Sequence, residues 1–153
     1  VTEQRTIPAD SQFLYIAGPY RGGKGSHDHT AYFDIDDNIR VARFWSVECA
    51  KAGIPYFTPH LNSEHMEVIV PNVVPEFWLE MDLKILRCAS ALLLLPNWKS
   101  SRGTLAERDE ANRLDIPIYH ANSFNLTAIR NQFAHTAKRE AYEAGLEEAV
   151  AVR

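Results

Sequence analysis

Cysteine is scarce in this chain. Cys49 and Cys88 are the only two, and two thiols do not make a disulfide framework. Both fall in segments with helical patterning and are read as buried thiols of a protein in a reducing compartment, so a cytoplasmic location is expected. Long hydrophobic runs are missing as well. None nears the roughly 20 residues that cross a bilayer. The opening segment from Val1 to Asp10 is polar and lacks a signal-peptide core, so no membrane association is expected. Positive charge is not in excess: 16 Lys and Arg stand against 20 Asp and Glu, a net charge of −4. That balance speaks against a general polyanion-binding surface, and no nucleic-acid partner is expected. Glycine is sparse, 7 in all, and neither a GxGxxG nor a Walker pattern is present. Metal-ligand spacing is absent too. Ser26-His27-Asp28-His29 crowds its donors too closely to converge in one strand, and no fourth ligand follows at a suitable spacing. No metal and no cofactor is therefore expected.

What is present is an ordinary globular composition, 46% hydrophobic and 24% charged over 153 residues, enough chain for one domain with a real core. Phe13 to Ala17 is a short apolar run closed by Gly18-Pro19, the first strand. Arg21 to Asp34 reads as a long loop rich in Gly, His and Asp. Asp36 or Asp37 can cap a helix that runs through Ala52 on Ile39, Ala42, Trp45 and Cys49, and Gly53 ends it. Tyr56 to Thr58 is a second strand, and Leu61 to Val74 is irregular. Pro75 to Cys88 reads as a helix with proline in its tolerated first turn. A strand of four leucines ends at Pro96, a helix runs from Thr104 to Leu114, and a strand covers Ile116 to His120. The tail is helical over residues 127–150, with Tyr142, Leu146 and Val150 on a side that packs on the domain or on a partner. This alternation predicts a single-domain α/β fold spanning 1–153, with its core at about 12–121. A Rossmann-like or flavodoxin-like parallel sheet of four to five strands carries helices on both faces.

The most informative stretch runs from Ser90 to Glu107: a buried strand, a polar turn, and a helix bearing Glu107 one turn in. Strand ends of this kind face the ligand crevice of open α/β sheets. Glu107 shares a helical stripe with Ala111 and Leu114, which sets a carboxylate on the apolar side of its helix. Asp82 shares a stripe with Trp78, Ile85 and Leu86 in the same way. Burying an unpaired charge is costly, so two such carboxylates near strand ends mark a functional pair; capping a helix or pairing with an arginine is the structural alternative for each. Tyr15, near the end of the first strand, can converge with them. Ser100, Ser101, Gly103 and Thr104 precede or open the Glu107 helix, whose free N–H groups attract anions. Arg21, Gly22, Gly23, Lys24 and Gly25 can add a second, basic wall, or form a surface loop. His60 lies where it can touch a base or sugar, or serve the fold. Trp98 can stack on a base or pack in the loop. Asp109 and Glu110 read as solvated helix charges.

Tyr15-Ile-Ala-Gly18-Pro19-Tyr20-Arg21-Gly22-Gly23, the aspartate of Trp78-Leu-Glu-Met-Asp82, and Ser101-Arg-Gly103-Thr104-Leu-Ala-Glu107 together resemble the nucleoside 2-deoxyribosyltransferase superfamily, in order and spacing across roughly Phe13 to Tyr119. The resemblance implies that Glu107 is the nucleophile that attacks C1′ of a nucleoside, that Asp82 helps protonate the leaving base, and that Tyr15 orients the nucleophile. It also implies a substrate-binding set of Gly18, Pro19, Tyr20, Arg21, Gly22, His60, Trp98, Ser101, Gly103 and Thr104. A homodimer or higher homo-oligomer is implied, with Ser123, Asn125 and Asn131 as candidates to complete a neighbouring site.

Within that superfamily, transferases of free deoxynucleosides carry an acidic residue six positions before the nucleophile, where this chain has Ser101. The nucleoside 5′-monophosphate N-glycosidases carry serine there and an arginine after the first strand, as at Arg21. Hydrolases that release cytosine from CMP have a similar Gly-Pro-aromatic-Arg start and Ser-x-Gly-Thr turn. Replacing a carboxylate by a hydroxyl beside a helix N-terminus removes repulsion against a phosphate dianion. Pro19 departs from the serine of some nucleotide-cleaving relatives. Thr58-Pro-His-Leu-Asn and Leu-Pro-Asn-Trp98 resemble small phage and bacterial relatives. The expected activity is N-glycosidic hydrolysis of a nucleoside 5′-monophosphate. The alternatives are base exchange on deoxynucleosides and a non-catalytic nucleotide-binding module.

Overall fold

The structure, a computed structural model, describes residues 7–21 and 30–151. Four strands form one parallel sheet: β1 (Leu14–Ala17), β2 (Tyr56–Phe57), β3 (Ala91–Leu94) and β4 (Ile118–His120). Their order is β2-β1-β3-β4, so the expected α/β class and parallel sheet are observed. β1 sets Tyr15 beside Leu92 of β3 and beside Phe57 of β2. The connections leave β1 toward β2 and return to β3 on its other side. The crevice of such a sheet opens where that direction reverses, at the carboxyl ends of β1 and β3.

The helices are α1 (Thr30–Lys51), α2 (Pro59–Asn62), α3 (Met66–Ile69), α4 (Pro75–Leu86), α5 (Arg102–Arg113) and α6 (Ser123–Ala151). α1 begins in the segment expected to be loop, ahead of Asp36 and Asp37, because Tyr32-Phe33 and Ile35 continue the apolar pattern toward its start. The stretch expected to be irregular, Leu61 to Val74, holds the end of α2 and all of α3. Gly53 ends α1 as expected; its φ of 71° is the left-handed conformation that lets the chain turn directly into Ile54.

Strand alternation divides the core. Leu14, Ile16, Leu93 and Leu95 face α1 and α6, meeting Ala42, Cys49, Ile129 and Phe133. Tyr15, Ala17, Leu92 and Leu94 face the other way, toward Leu86 of α4, Ala111 of α5 and Ile116. Each fully buried aliphatic side chain contributes roughly 1.5–3 kcal/mol. The same alternation carries the Tyr15 hydroxyl to the α4–α5 face, where Asp82 and Glu107 lie.

Two expectations are corrected. Cys88 is exposed, not buried: it follows the buried Leu86 by two residues, which turns it to the opposite side of the chain. Of the two packings expected for the tail, that on the domain is absent at Tyr142 and Leu146, which are both exposed, and the side chain of Val150 lies outside the described residues; Glu140, accepting from the Ala9 N–H, ties α6 to the N-terminal turn. Among the described residues, no helix is long and apolar enough to cross a membrane.

Candidate active site

Three polar side chains meet on the α4–α5 face. Tyr15 Oη donates a hydrogen bond to Glu107 Oε1 at 2.5 Å, inside the core. Glu107 is only 6% exposed. Burial pushes its carboxyl from 4.5 up to about 8, the Tyr15 hydrogen bond opposes that rise, and the charge of nearby Asp82 adds to it. Asp82 is partly buried and its Oδ1 has no hydrogen-bond partner; burial lifts it from 3.8 to about 7. The Tyr15 phenol is held well above its ordinary value, by burial first and then by both carboxylates, so it stays a donor. Burial raises both carboxyls, and the charge of Asp82 raises Glu107 further, so near neutral pH the pair resists losing both of its protons together. Two acids with a single proton, braced by a neutral tyrosine, can supply one proton donor and one nucleophile or charge-stabilising base.

The N-terminus of α5 lies one turn before Glu107. Ser101 caps it, its Oγ accepting from Thr104 N–H at 3.2 Å. This is the ordinary work of a helix-capping serine, and the Ser101 hydroxyl proton is still available to a ligand. The buried Thr104 Oγ1 has no partner. A side chain at Gly103 would meet nothing closer than Ser101 Oγ at 3.9 Å, so nothing in the packing demands glycine, and open space lies over the helix end. Gly18 differs. A Cβ there would sit 2.7 Å from Leu95 Cβ, and glycine is required for β1 to leave the sheet past β3.

After Gly18 the chain is held from several sides. Pro19 carbonyl accepts from His60 Nε2 at 2.8 Å, which assigns the ring proton to that nitrogen. His60 is buried and its pKa is lowered, mainly by burial, so it is a neutral ring whose Nδ1 is left without a partner. Tyr20 Oη donates to Glu67 Oε2 at 2.9 Å and accepts from His65 N–H at 2.8 Å, while Tyr20 carbonyl accepts from Asn38 Nδ2 at 3.0 Å. Arg21 is exposed and borders a cleft of about 280 Å³ with Pro19, Asn97 and Ser100; Asp34, Asp37 and Asn38 form its α1 side. Gly22, Lys24 and the other glycines of the expected basic wall lie outside the described residues, as does the Ser26–His29 segment. Among the described residues no cluster could hold a metal ion.

The structure therefore brings Tyr15, Asp82 and Glu107 together, with Thr104 on the same buried stripe. Pro19 and Arg21 are gathered at a cleft whose lining does not include the carboxylates. Trp98 packs with His120 at 5.9 Å between ring centroids, with the Arg108 guanidinium 5.3 Å and the Lys99 ammonium 5.5 Å from its own ring. Asn125 N–H caps onto Asn122 Oδ1 and its side-chain amide donates to His120 carbonyl. Glu110 is not a free surface charge: it pairs with Arg87 at 2.7 Å and Arg113 at 2.8 Å, tying α4 to α5. Sequence reading missed Asn38, His65 and Glu67. Asn38 lies within the helix expected from Asp36 or Asp37, and the turn into α3 brings His65 and Glu67 to Tyr20.

Residues 12–120 match a family described as a domain of unknown function, DUF4406. The match spans more than half of the chain, and the chain belongs to that family. No curated protein matches the chain.

Proposed function

We propose that this DUF4406 member is an N-glycosidase of the nucleoside 2-deoxyribosyltransferase type, cleaving a nucleoside 5′-monophosphate to free base and sugar 5-phosphate. The observation that carries the reading is the buried Tyr15–Glu107 hydrogen bond, beside an Asp82 carboxyl that has no partner of its own. In this reading substrate binding shifts the proton of the pair from Glu107 to Asp82, which gives it to the departing base as the C1′–N bond breaks. Glu107 attacks C1′ and forms a glycosyl ester. Water then attacks C1′ and releases the Glu107 carboxylate, and its spare proton returns to Asp82. Positive charge developing at C1′ favours the ionised form of Glu107, which moves the proton shared by the pair onto Asp82. Tyr15 keeps the nucleophile in line, where small displacements are costly in rate. Arg21 and the α5 N-terminus, with the Ser101 and Thr104 hydroxyls, bind the phosphate.

A second reading, a nucleotide-binding module without turnover, draws on the cleft itself, whose lining omits all three catalytic candidates. Liquid chromatography separates the readings. The protein is incubated with ribo- and deoxyribonucleoside 5′-monophosphates, the matching nucleosides and a spare acceptor base. Free base appearing from monophosphates, and absent with Glu107→Ala, supports the hydrolase. Base exchange on free nucleosides makes it a deoxyribosyltransferase instead. Binding of monophosphates without release of base from any of them leaves the binding module.

A further inference from the structure

β1 ends at Ala17, yet Pro19 and Tyr20 are tied down by four further hydrogen bonds. Pro19 carbonyl accepts from His60 Nε2 at 2.8 Å. Tyr20 carbonyl accepts from Asn38 Nδ2 at 3.0 Å. Tyr20 Oη donates to Glu67 Oε2 at 2.9 Å and accepts from the His65 N–H at 2.8 Å. The partners come from α1, from α2, and from α3 with its cap, so separate elements converge on one turn. None of these bonds belongs to the sheet ladder. What they fix is the piece of backbone that delivers Arg21 to the cleft.

Residue 20 is held at both of its ends. Its carbonyl belongs to the planar peptide unit that also contains the Arg21 N–H, so the Asn38 bond sets the plane from which Arg21 departs. Its ring is fixed at the far end by Glu67 and lies 5.9 Å from the His60 ring, centroid to centroid. Burial holds the Tyr20 phenol above its ordinary value, so it stays the donor to Glu67. Asp36 of α1 holds the His65 ring at 3.0 Å and braces the cap of α3. Glu67 is costly where it stands. Its Oε1 is buried without a hydrogen-bond partner, and its ion-pair contact with His65 Nδ1 is long, 3.9 Å. A buried carboxylate oxygen left unpaired lowers stability, so packing alone is better served by an apolar side chain at this position.

We propose that Glu67 is a positioning residue for 5′-monophosphate binding: through Tyr20 Oη it fixes the peptide that carries Arg21 and so holds the Arg21 guanidinium ready at the cleft. The inference rests on the reading of Arg21 as the phosphate-binding residue. Among the described residues no hydrogen bond holds the Arg21 side chain itself, so its reach is set by where its backbone is held. A loosened residue must be ordered again when the phosphate binds, and fixing the backbone of one residue is worth roughly 10-fold in affinity.

The test is calorimetric titration of the full chain in a Glu107→Gln background, which slows release of base during the measurement. The probes are the 5′-monophosphates of the common ribo- and deoxyribonucleosides and the matching free nucleosides. Glu67→Leu keeps the bulk and removes the acceptor. Its monophosphate affinity falls roughly 10-fold, and its nucleoside affinity does not move. Tyr20→Phe breaks the same bond from the other side and gives the same monophosphate loss. Glu67→Gln, whose side-chain carbonyl still accepts from Tyr20 Oη, restores most of the affinity. In an Arg21→Ala background Glu67→Leu adds no further loss, because both act through one contact. A Glu67→Leu chain with a lowered Tm and an unchanged preference for monophosphates overturns the proposal. Equal loss for nucleotides and nucleosides overturns it too, as does a full further loss in the Arg21→Ala background. If Arg21→Ala loses the monophosphate preference and Glu67→Leu keeps it, this inference alone fails. If Arg21→Ala keeps the preference, or the parent chain has none, the phosphate reading fails and this inference with it.

Discussion

Tyr15 and Glu107 stand 92 positions apart in sequence, and their side chains share a 2.5 Å hydrogen bond in the interior. Glu107 has its carboxyl lifted to about 8, and Tyr15 is the one group that acts to lower it. Tyr15→Phe removes that donor and leaves a buried carboxylate oxygen without a partner, at a cost of about 1–3 kcal/mol. The expected result is a roughly 10- to 100-fold loss of kcat, together with an upward shift of the Glu107 limb in the pH profile. A fall in Tm with an unmoved pH profile contradicts the positioning role.

Stability should depend on Glu107 in a pH-dependent way. Its carboxyl lies at about 8 in the fold against 4.5 ordinarily. Between those values the folded chain holds a proton that the unfolded chain has lost, so stability declines as pH rises through the window and levels off above it. Asp82, raised to about 7 from 3.8, acts in the same direction over its own window. Glu107→Gln removes the burden. Its Tm is expected to exceed the wild type's at pH 8.5 and to differ little at pH 4.5, while base release drops by roughly 100- to 10,000-fold. Denaturation at the two pH values checks the first claim and chromatography the second.

The two carboxyls share a single proton only in a narrow interval. A bell-shaped dependence of kcat/KM on pH follows, with its maximum between about 7 and about 8. Asp82→Asn abolishes one limb of the bell. Substrates whose base leaves without needing a proton restore much of its rate. An Asp82→Asn enzyme that keeps the full bell on ordinary substrates argues against the proton-donor role.

Gly18 and Gly103 predict opposite outcomes for the same substitution. Gly18→Ala drives a methyl group into Leu95 and costs about 1–3 kcal/mol; Leu95→Ala in the same chain removes the Cγ and Cδ1 contacts but keeps the closest one, to Leu95 Cβ, so it recovers only part of the loss. Gly103→Ala meets open space and stabilises α5 by up to about 1 kcal/mol, while weakening monophosphate binding if the space above the helix end receives the phosphate. Thermal melts and ligand titration on the two variants separate the glycine that serves packing from the one that serves the ligand.

Arg21→Ala tests the phosphate. Arg21 sits at the exposed rim of the cleft, so its loss leaves the fold unchanged. Affinity for monophosphates falls by roughly 10-fold or more and affinity for free nucleosides is unaffected. An equal loss for both assigns Arg21 another role.

Much of this architecture was legible in the linear chain because it rests on local physics. Strand-closing Gly-Pro, four leucines before a proline, and a serine three residues before the first buried threonine of a helix are readable without neighbours. So is the stripe of Glu107, Ala111 and Leu114, on which Ala111 is fully buried and Glu107 nearly so. The start of α1 was not legible, since Gly, His and Asp obscure the pattern just before Thr30. The grip on Tyr20 by Glu67, His65 and Asn38 was hidden for another reason: Asn38 comes from α1 and the other two from α3 and its cap, and His65 takes a left-handed φ of 58° that no periodicity signals.

The sequence by itself determined the α/β alternation, the parallel sheet, and the residue types able to do acid–base work at strand ends, because propensity, capping and hydrophobic period act over a few residues. The tertiary structure decided which of those residues meet. It turned Tyr15 to the face of α4 and α5 through strand alternation. It raised Glu107 and Asp82 by removing water around them, and it brought Glu67 to Tyr20. Burial and long-range pairing depend on how separate elements stack, and no local pattern carries that information.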